Sequence, residues 1–360
     1  MRILFVTPGY PPDIGGIENV VKELSERMSD SGNQIYVLAT SKKKIGVERI
    51  SEHLTIERVR AISPNNAYHY PIGLGKRLRA LRGQFDIIHA HGYHSLPALV
   101  SYLNRGKTPF VISCHYHRHS HKLFRNILLK PYKLLAKKMI NGSRCVFCVS
   151  KAEESLVKED FLPVRCEVIH NGVSAQRFND NERNNEDRIV MIGRLERYKN
   201  QELGIEFIKV NPQYKLEIIG DGPDFGRLRK IVESEGIGDR VSFHRGISEG
   251  DKNRILAKCS VLFSLSNHES FGLVILEAVS RGIPVIASDI PSHREIYDAL
   301  KCGVNLVDQN DLEKISLAVK NIDLWKGDLE NKNIEKFHWG EITVRYLEAY
   351  ESLMASGEEK

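Results

Sequence analysis

The sequence predicts an α/β protein of two domains, each a mainly parallel sheet wound with helices. Three observations carry this reading. Short apolar runs of strand length alternate with amphipathic helical stretches in both halves of the chain. The chain has 360 residues, long for a single hydrophobic core. The halves also differ in charge: residues 1–170 carry 26 Lys and Arg against 14 Asp and Glu, and the remainder carries 26 against 32. At 41% hydrophobic and 27% charged residues the composition is that of a globular protein, and no apolar run reaches the length of a spanning helix. Six scattered cysteines show neither metal spacing nor a disulfide frame, which points to a reducing, cytoplasmic setting.

Residues 2–7 read as a buried first strand, too short and too soon followed by Pro8-Gly9 to be a signal peptide. A breaker-rich loop runs to Gly15-Gly16. Ile17, Val20, Val21, Leu24 and Met28 then mark one face of a helix. The glycine pair before that helix allows close backbone approach by a ligand, although the GxGxxG dinucleotide fingerprint is absent. Strands follow at Gln34–Thr40, Leu54–Val59, Asp86–His91, Phe110–His115 and Arg144–Ser150, with a basic helix at Gly75–Leu81. In open α/β sheets ligands sit beyond the carboxyl ends of the strands, so Gly16, His91 and His115 are expected near one another.

No Asp or Glu occurs from Ile87 through Ala152, a stretch of 66 residues with 11 Lys and Arg. Such a field favours anionic partners. The tract His115, His117, His119, His121 invites a metal reading, but Arg118 and Lys122 oppose a cation and no carboxylate lies nearby in sequence. No metal site is expected. Residues 117–144 are amphipathic and lysine-rich, which suits peripheral contact with an anionic membrane. No nucleic-acid motif accompanies the charge. Cys145 and Cys148 fall on opposite faces of a strand, which argues against a redox pair.

The polar stretch Asn179–Arg188 reads as a linker. The expected domains are residues 1–172 and 173–340, with 341–360 a terminal helix packing back toward the first. The second half opens with a strand ending at Gly193-Arg194-Leu195, then Lys199-Asn200 before a helix. Arg194 and Lys199 flank a tight loop suited to a diphosphate. A strand ending at Gly220, the turn Asp221-Gly222-Pro223, a strand to Arg245-Gly246 and a helix at Arg254–Cys259 follow. The strand Ser260–Leu265 then leads into His268-Glu269-Ser270-Phe271-Gly272-Leu273 and on to Glu277-Ala278. Glu269 and Glu277 are eight residues apart, and a helix beginning near Phe271 leaves Glu269 in the loop and Glu277 within the helix, where two carboxylates can hold different parts of an extended ligand. The backbone N–H groups of that helix start suit phosphate. Helices are also expected at Asp311–Leu324 and Trp339–Met354.

Taken together, these motifs resemble the retaining glycosyltransferases of family 4, the glycogen-synthase-like group with the GT-B fold. The resemblance spans nearly the whole chain. It rests on Gly15-Gly16, His89-Ala90-His91, Asn171-Gly172-Val173, Gly193-Arg194-Leu195 with Lys199-Asn200, Gly220-Asp221-Gly222-Pro223, Glu269 to Glu277, and Gly282-Ile283-Pro284-Val285-Ile286-Ala287. It implies two Rossmann-like domains facing each other across a cleft, and transfer of a hexose from a UDP- or GDP-sugar to a glycan or lipid-linked acceptor. By the same resemblance, His115 contacts the transferred sugar and Glu269 its hydroxyls. Arg194 and Lys199 neutralise the leaving diphosphate, and Gly15 and Gly16 allow its approach. Ser270, Phe271, Gly272 and Leu273 bind the distal phosphate, Glu277 the ribose, and Arg245-Gly246 the base. No metal or other cofactor is required. The expected place is the cytoplasm or the cytoplasmic face of a membrane. A UDP-N-acetylhexosamine epimerase of the same fold and a non-catalytic sugar-nucleotide-binding protein remain as alternatives.

Overall fold

The computed structural model describes residues 1–360 except 14, 43, 63–69, 117–129, 162–163, 175–177, 179–185, 326–331 and 357–360. The chain divides into two compact units, Met1–Gly172 with Trp339–Lys360, and Val173–His338.

In chain order the first unit contains β1 (Arg2–Thr7), α1 (Gly16–Asp30), β2 (Gln34–Ser41), β3 (Gly46–Arg49), β4 (Leu54–Ile62), β5 (Tyr70–Pro71) and α2 (Leu74–Ala80). Then come β6 (Ile87–His91), α3 (Leu96–Asn104), β7 (Phe110–Ser113), α4 (Lys130–Asn141), β8 (Cys145–Cys148), α5 (Lys151–Phe161) and β9 (Cys166–Val168). Among the described residues the sheet order is β3-β4-β2-β1-β6-β7-β8-β9, with β5 paired to β4. The core strands are parallel and buried on both faces, as continuous apolar runs such as Ile3-Leu4-Phe5-Val6 require. Helix α1 forms because Val20, Val21, Leu24 and Met28 recur on one face and are buried, and it stops at Ser31-Gly32, where Gly32 takes φ +83°. The terminal helix, Trp339–Ala355, belongs to this unit and buries Tyr346 and Tyr350 against Phe147 and His89.

The second unit contains β10 (Glu186–Ile192), α6 (Gln201–Val210), β11 (Lys215–Ile219), α7 (Phe225–Ser234), β12 (Val241–His244), α8 (Glu249–Leu256) and β13 (Cys259–Ser264). It continues with α9 (Leu273–Ser280), β14 (Val285–Ser288), α10 (Pro291–Leu300), β15 (Val304–Val307), α11 (Leu312–Lys320) and α12 (Ile322–Trp325). Its sheet is parallel, in the order β12-β11-β10-β13-β14-β15. Each sheet reverses its winding once, between β1 and β6 and between β10 and β13. A doubly wound sheet opens a crevice at the carboxyl end of such a reversal.

Several expectations shift. Strands β3 and β5 add to the expected set; they are short, partly exposed and antiparallel to β4, so pairing rather than hydrophobic pattern defines them. The first sheet does not end at Arg144–Ser150, because β9 adds a half-exposed strand beside β8. The helix expected at Arg254–Cys259 is Glu249–Leu256 instead. Ser248 caps it by accepting the Asp251 N–H at 3.1 Å, and Cys259 already belongs to β13. The helix expected at Asp311–Leu324 divides after Lys320 into α11 and α12.

In the second unit, glycines let two strand-end loops touch. Gly193 and Gly220 have φ +148° and +150°. A Cβ at Gly220 would lie 1.8 Å from the Gly193 carbonyl oxygen, and one at Gly222 would lie 2.3 Å from that of Leu195. In this space Leu195 N–H donates to Asp221 C=O at 3.0 Å, and Asp224 N–H donates to Leu195 C=O at 3.0 Å. Gly220→Ala is therefore expected to cost roughly 2–4 kcal/mol from strain and clash combined. A lowered urea midpoint would show it; an unchanged midpoint would refute the close-approach account.

Candidate functional site

The second unit's site is built at its sheet reversal, from the loops after β10 and β13. Lys199, in a single 3-10 turn, meets Glu269, in the loop after β13; the two form an ion pair with each side chain 14% exposed. Ser266 Oγ donates to Glu269 Oε1 at 2.8 Å. Burial pushes the Glu269 carboxyl up, but Lys199, Ser266 and nearby His293 together hold it below the ordinary carboxylate value. Asn200 Nδ2 donates to Leu265 C=O at 2.8 Å, and Asn267 N–H donates to Tyr198 C=O at 2.8 Å, which ties the two loops together. Tyr198 stacks on His268 at 4.5 Å between ring centroids.

Helix α9 begins at Leu273, two residues later than expected, because Gly272 takes φ +116° as its N-cap. The first N–H groups of an α-helix lack intrahelical acceptors, so this start can receive an anion. Ser270 lies in the preceding loop, and Phe271 is buried with its ring 6.1 Å from that of Phe337. Glu277 sits within α9, and Lys252 Nζ reaches its Oε2 at 3.2 Å. Arg194 is 62% exposed and pairs with Glu196 at 2.9 Å, whereas Lys199 is largely withdrawn from water. Arg245 is held by Asp221 at 2.7 Å and lies over the Phe225 ring at 4.2 Å, and Gly246 takes φ +62°.

A cavity of about 520 Å³ opens on the β10–β12 face, lined by Arg188, Glu217, Ser242, His244 and residues of α8. Buried Glu217 ties Arg188 to His244, whose Nε2 lies 2.7 Å from Glu217 Oε2.

The first unit gathers a different set. Gly15 is the N-cap of α1 with φ 177°, ordinary extended backbone. The Glu18 carboxylate lies over it, so a Cβ at Gly15 would fall 2.1 Å from Glu18 Oε2, whereas the space beside Gly16 is open within 4 Å. Of the pair, Gly16 offers the free approach, and an incoming anion at Gly15 requires Glu18 to move. His115 takes φ +48°, an uncommon conformation for a residue with a Cβ. Its ring stacks on His91 at 5.8 Å, and His91 stacks on His89 at 4.3 Å. His89 is fixed by Tyr350 Oη at 2.6 Å and Ser113 Oγ at 2.8 Å, and burial lowers it to about 3, so it stays neutral. Burial also holds His91 well below the ordinary imidazole value, and among the described residues neither of its ring nitrogens has a hydrogen-bond partner.

Glu153 anchors this strand end. It is 1% exposed and accepts the N–H of Tyr116, the residue after His115, and that of Val149 at 2.7 Å. Of the histidine tract, His117, His119 and His121 lie outside the described residues. Among the described residues no group of three or more His, Cys, Asp or Glu is arranged to hold a metal ion. None of the six cysteines is in a disulfide, and Cys145 and Cys148 are buried.

Sequence reading did not single out Glu153, Glu18, Lys252, Ser266 or His293. Their partners lie outside their own local motifs, or the contact depends on a loop path that spacing does not reveal. One local signal was available: Ser150-Lys151-Ala152-Glu153 has capping-box spacing.

Two doubly wound sheets with glycine-rich loops at their reversals place the protein in the GT-B class of glycosyltransferase folds. Solved structures agree. Sucrose-phosphate synthase from Thermosynechococcus elongatus superposes with a TM-score of 0.80 at 19% identity, covering 99% of both chains. Anabaena HepE in complex with UDP and glucose superposes at 0.78 and 18%, covering 98% of this chain and 100% of that one. The model of glycosyl transferases group 1 matches residues 173–332 and that of glycosyltransferase family 4 matches residues 14–177. The chain belongs to this glycosyltransferase family, and it is an enzyme of glycosyl transfer. A curated relative, the GDP-mannose:cellobiosyl-diphosphopolyprenol alpha-mannosyltransferase of Xanthomonas oryzae pv. oryzae, is 25% identical over 97% of this chain and 96% of its own length.

Glu153 yields a test with a definite sign. Burial raises its carboxyl from 4.5 to about 7, while its two backbone donors pull it down. Between those values the folded chain holds a proton that the unfolded chain has released. This group's contribution is therefore fully present below about pH 4.5 and is lost as pH rises toward 7, by roughly 2–3 kcal/mol. Glu153→Gln should be less stable by about 1–3 kcal/mol, because its NH2 faces a backbone N–H, and should lose that slope. Urea unfolding of both proteins from pH 4.5 to 7 checks it; parallel slopes would refute it.

Proposed function

We propose that this glycosyltransferase moves a hexose from a UDP- or GDP-sugar to a hydroxyl of a glycan or lipid-linked acceptor, retaining the anomeric configuration and using no divalent metal. The observation that carries this reading is the buried Lys199–Glu269 pair beside the start of α9. The bond from the anomeric carbon to the β-phosphate oxygen breaks, and charge grows on the departing diphosphate as an oxocarbenium-like sugar forms. Lys199, Arg194 and the free N–H groups at Gly272 and Leu273 are the groups that would take up that charge. Glu269 would bind sugar hydroxyls and Glu277 the ribose, with Arg245-Gly246 toward the base. His115, with Gly15 and Gly16, is the first unit's contribution. The acceptor hydroxyl attacks from the face the diphosphate leaves, and its proton passes to the departing phosphate oxygen. Fixed donors aimed at a leaving group typically contribute about 10²–10³-fold each.

Two named proteins support the donor class: the Xanthomonas enzyme uses GDP-mannose, and HepE was solved with UDP. The Xanthomonas acceptor is lipid-linked, and the first unit has a surface suited to such a substrate. On α4, Leu134 and Leu135 are 74% and 46% exposed, beside exposed Lys137 and Lys138. Among the described residues no helix is long and apolar enough to cross a membrane. Residues 117–129 of the expected contact region lie outside those described.

Purified protein should release one nucleoside diphosphate from a panel of UDP-, GDP- and ADP-sugars, faster with membrane extract and equally well in EDTA. An acceptor-independent epimer product would favour the epimerase, and donor binding without turnover would favour a binding role. Removing Lys199 alone strands a buried carboxylate, at a cost of about 3–5 kcal/mol. The double variant Lys199→Met, Glu269→Gln should therefore fold yet lose turnover by at least about 100-fold; parent-like turnover would refute the site.

Lipid contact is checked by co-sedimentation. Binding to phosphatidylcholine vesicles should rise when phosphatidylglycerol is added, and should fall in Lys137→Ser, Lys138→Ser. Indifference to lipid charge would remove the membrane-side reading.

A further inference from the structure

His293 is the third residue of α10 and is fully buried. Its Nδ1 lies 2.9 Å from the Ser288 carbonyl oxygen. A carbonyl can only accept, so Nδ1 carries the proton. Ser288, at the end of β14, in turn donates its hydroxyl to the Ser266 carbonyl oxygen at 2.5 Å. Ser266 donates its own hydroxyl to Glu269 Oε1, the oxygen that Lys199 also holds. Ser264, Ser266, Ser288 and His293 are all 5% exposed or less. An unbroken buried chain of polar groups therefore runs from α10 to the carboxylate in the loop after β13.

The ring also has a steric role. A Cβ at Gly272 would meet His293 Cδ2 at 3.2 Å, so the imidazole edge walls the turn that opens α9. Its Nε2 is buried, with no hydrogen-bond partner among the described residues. A core filler placed only to occupy volume would not bring an uncompensated polar atom into this position, where burial costs about 1–3 kcal/mol. Leu or Met would fill the space without that cost.

The loop after β13 leaves the sheet where β13 and β14 separate, beyond the Ser264–Ala287 pair. Past that point no ladder holds it. Among the described residues two side-chain clips grip its backbone carbonyls, Asn200 from the β10 side and Ser288, held by His293, from the β14 side, beside the Asn267 N–H that donates to Tyr198 C=O. Each grips a backbone carbonyl within three or four residues of Glu269.

We propose that His293 is a positioning residue for the donor-binding carboxylate. Through Ser288 and Ser266 it sets the path of the 265–269 loop, so that Glu269 faces the donor sugar at one fixed distance from the start of α9. This rests on the reading of Glu269 as a donor-sugar contact. His293 itself touches no substrate. It links the sugar contact to the phosphate-binding turn, since one ring makes both the Nδ1–H clip and the wall behind Gly272.

Two substitutions separate these duties. His293→Phe keeps the ring and removes the proton donor. His293→Asn keeps a donor near the Nδ1 position and gives up most of the ring. Isothermal titration measures UDP and GDP affinity, which reports the phosphate, ribose and base contacts without the sugar. Turnover is measured on whichever of UDP-glucose, UDP-N-acetylglucosamine and GDP-mannose the parent protein uses.

His293→Phe should bind the nucleoside diphosphate within about twofold of the parent yet turn over the sugar donor about 10- to 30-fold more slowly, the scale of one misplaced contact. Ser288→Ala should move in the same direction. His293→Asn should recover turnover to within about threefold of the parent while weakening diphosphate affinity. Parent-like turnover in a folded His293→Phe protein would overturn the proposal. So would equal losses of binding and turnover in both variants that follow their melting temperatures. If His293→Phe fails to fold, Ser288→Ala decides alone: slowed turnover with intact UDP or GDP binding supports the relay, and parent-like turnover overturns it. Glu269→Gln separates the two levels. If it retains full turnover, the reading of Glu269 fails; if it is inactive while His293→Phe is not, only the relay fails.

Discussion

The Lys199–Glu269 ion pair is the constraint on which the second unit's site depends. Both side chains are largely withdrawn from water, so each charge is costly unless the other is present. The pair forms where β10 and β13 diverge, at the reversal of the sheet. Its partners come from residues 70 positions apart, and each lies in a loop that begins within a few residues of a strand end. Strand order therefore sets the meeting, and the glycines at 193, 220 and 272 set how tightly the loops can fold. A cation and an anion held together here make a surface that suits a ligand carrying both phosphate and hydroxyl groups.

The first unit solves a related problem with neutral groups. Its strand ends carry three stacked imidazoles, two of them kept uncharged by burial. The uncommon backbone of His115 is braced by the Glu153 carboxylate on α5, which accepts two backbone N–H groups. The terminal helix supplies Tyr350 to His89 from the far end of the chain. Positioning in both units falls to buried hydrogen bonds that reach across strand ends, because the sheet ladder stops where the functional loops begin.

How far this was legible from sequence differs by residue. Glu269 in a loop and Glu277 within the helix that follows are expected from spacing, and both are found there, Glu277 just over one turn past Leu273. The start of that helix was misplaced by two residues, since only the tertiary setting of Gly272 against His293 and Ile296 reveals its left-handed turn. Lys199 was marked as a diphosphate cation from its loop, and its pairing with Glu269 is a contact that no local pattern encodes. Arg194, expected to act from the same loop, is the more exposed of the two and pairs with Glu196. Glu153 and His293 read as an ordinary helix residue and an ordinary turn residue. Their partners, Tyr116 and Ser288 carbonyl among them, are backbone atoms, and sequence spacing carries little information about those.

By itself the sequence determined the α/β alternation, the burial of strands such as Ile3–Val6, and the glycines without which neighbouring loops would collide. These depend on local propensity, hydrophobic period and backbone freedom, which each stretch carries with it. Tertiary structure alone decided which charges are paired, which imidazoles are neutral and which carbonyls hold the 265–269 loop. Those properties depend on distance and burial between residues far apart in the chain, and neither exists until the strands are in order.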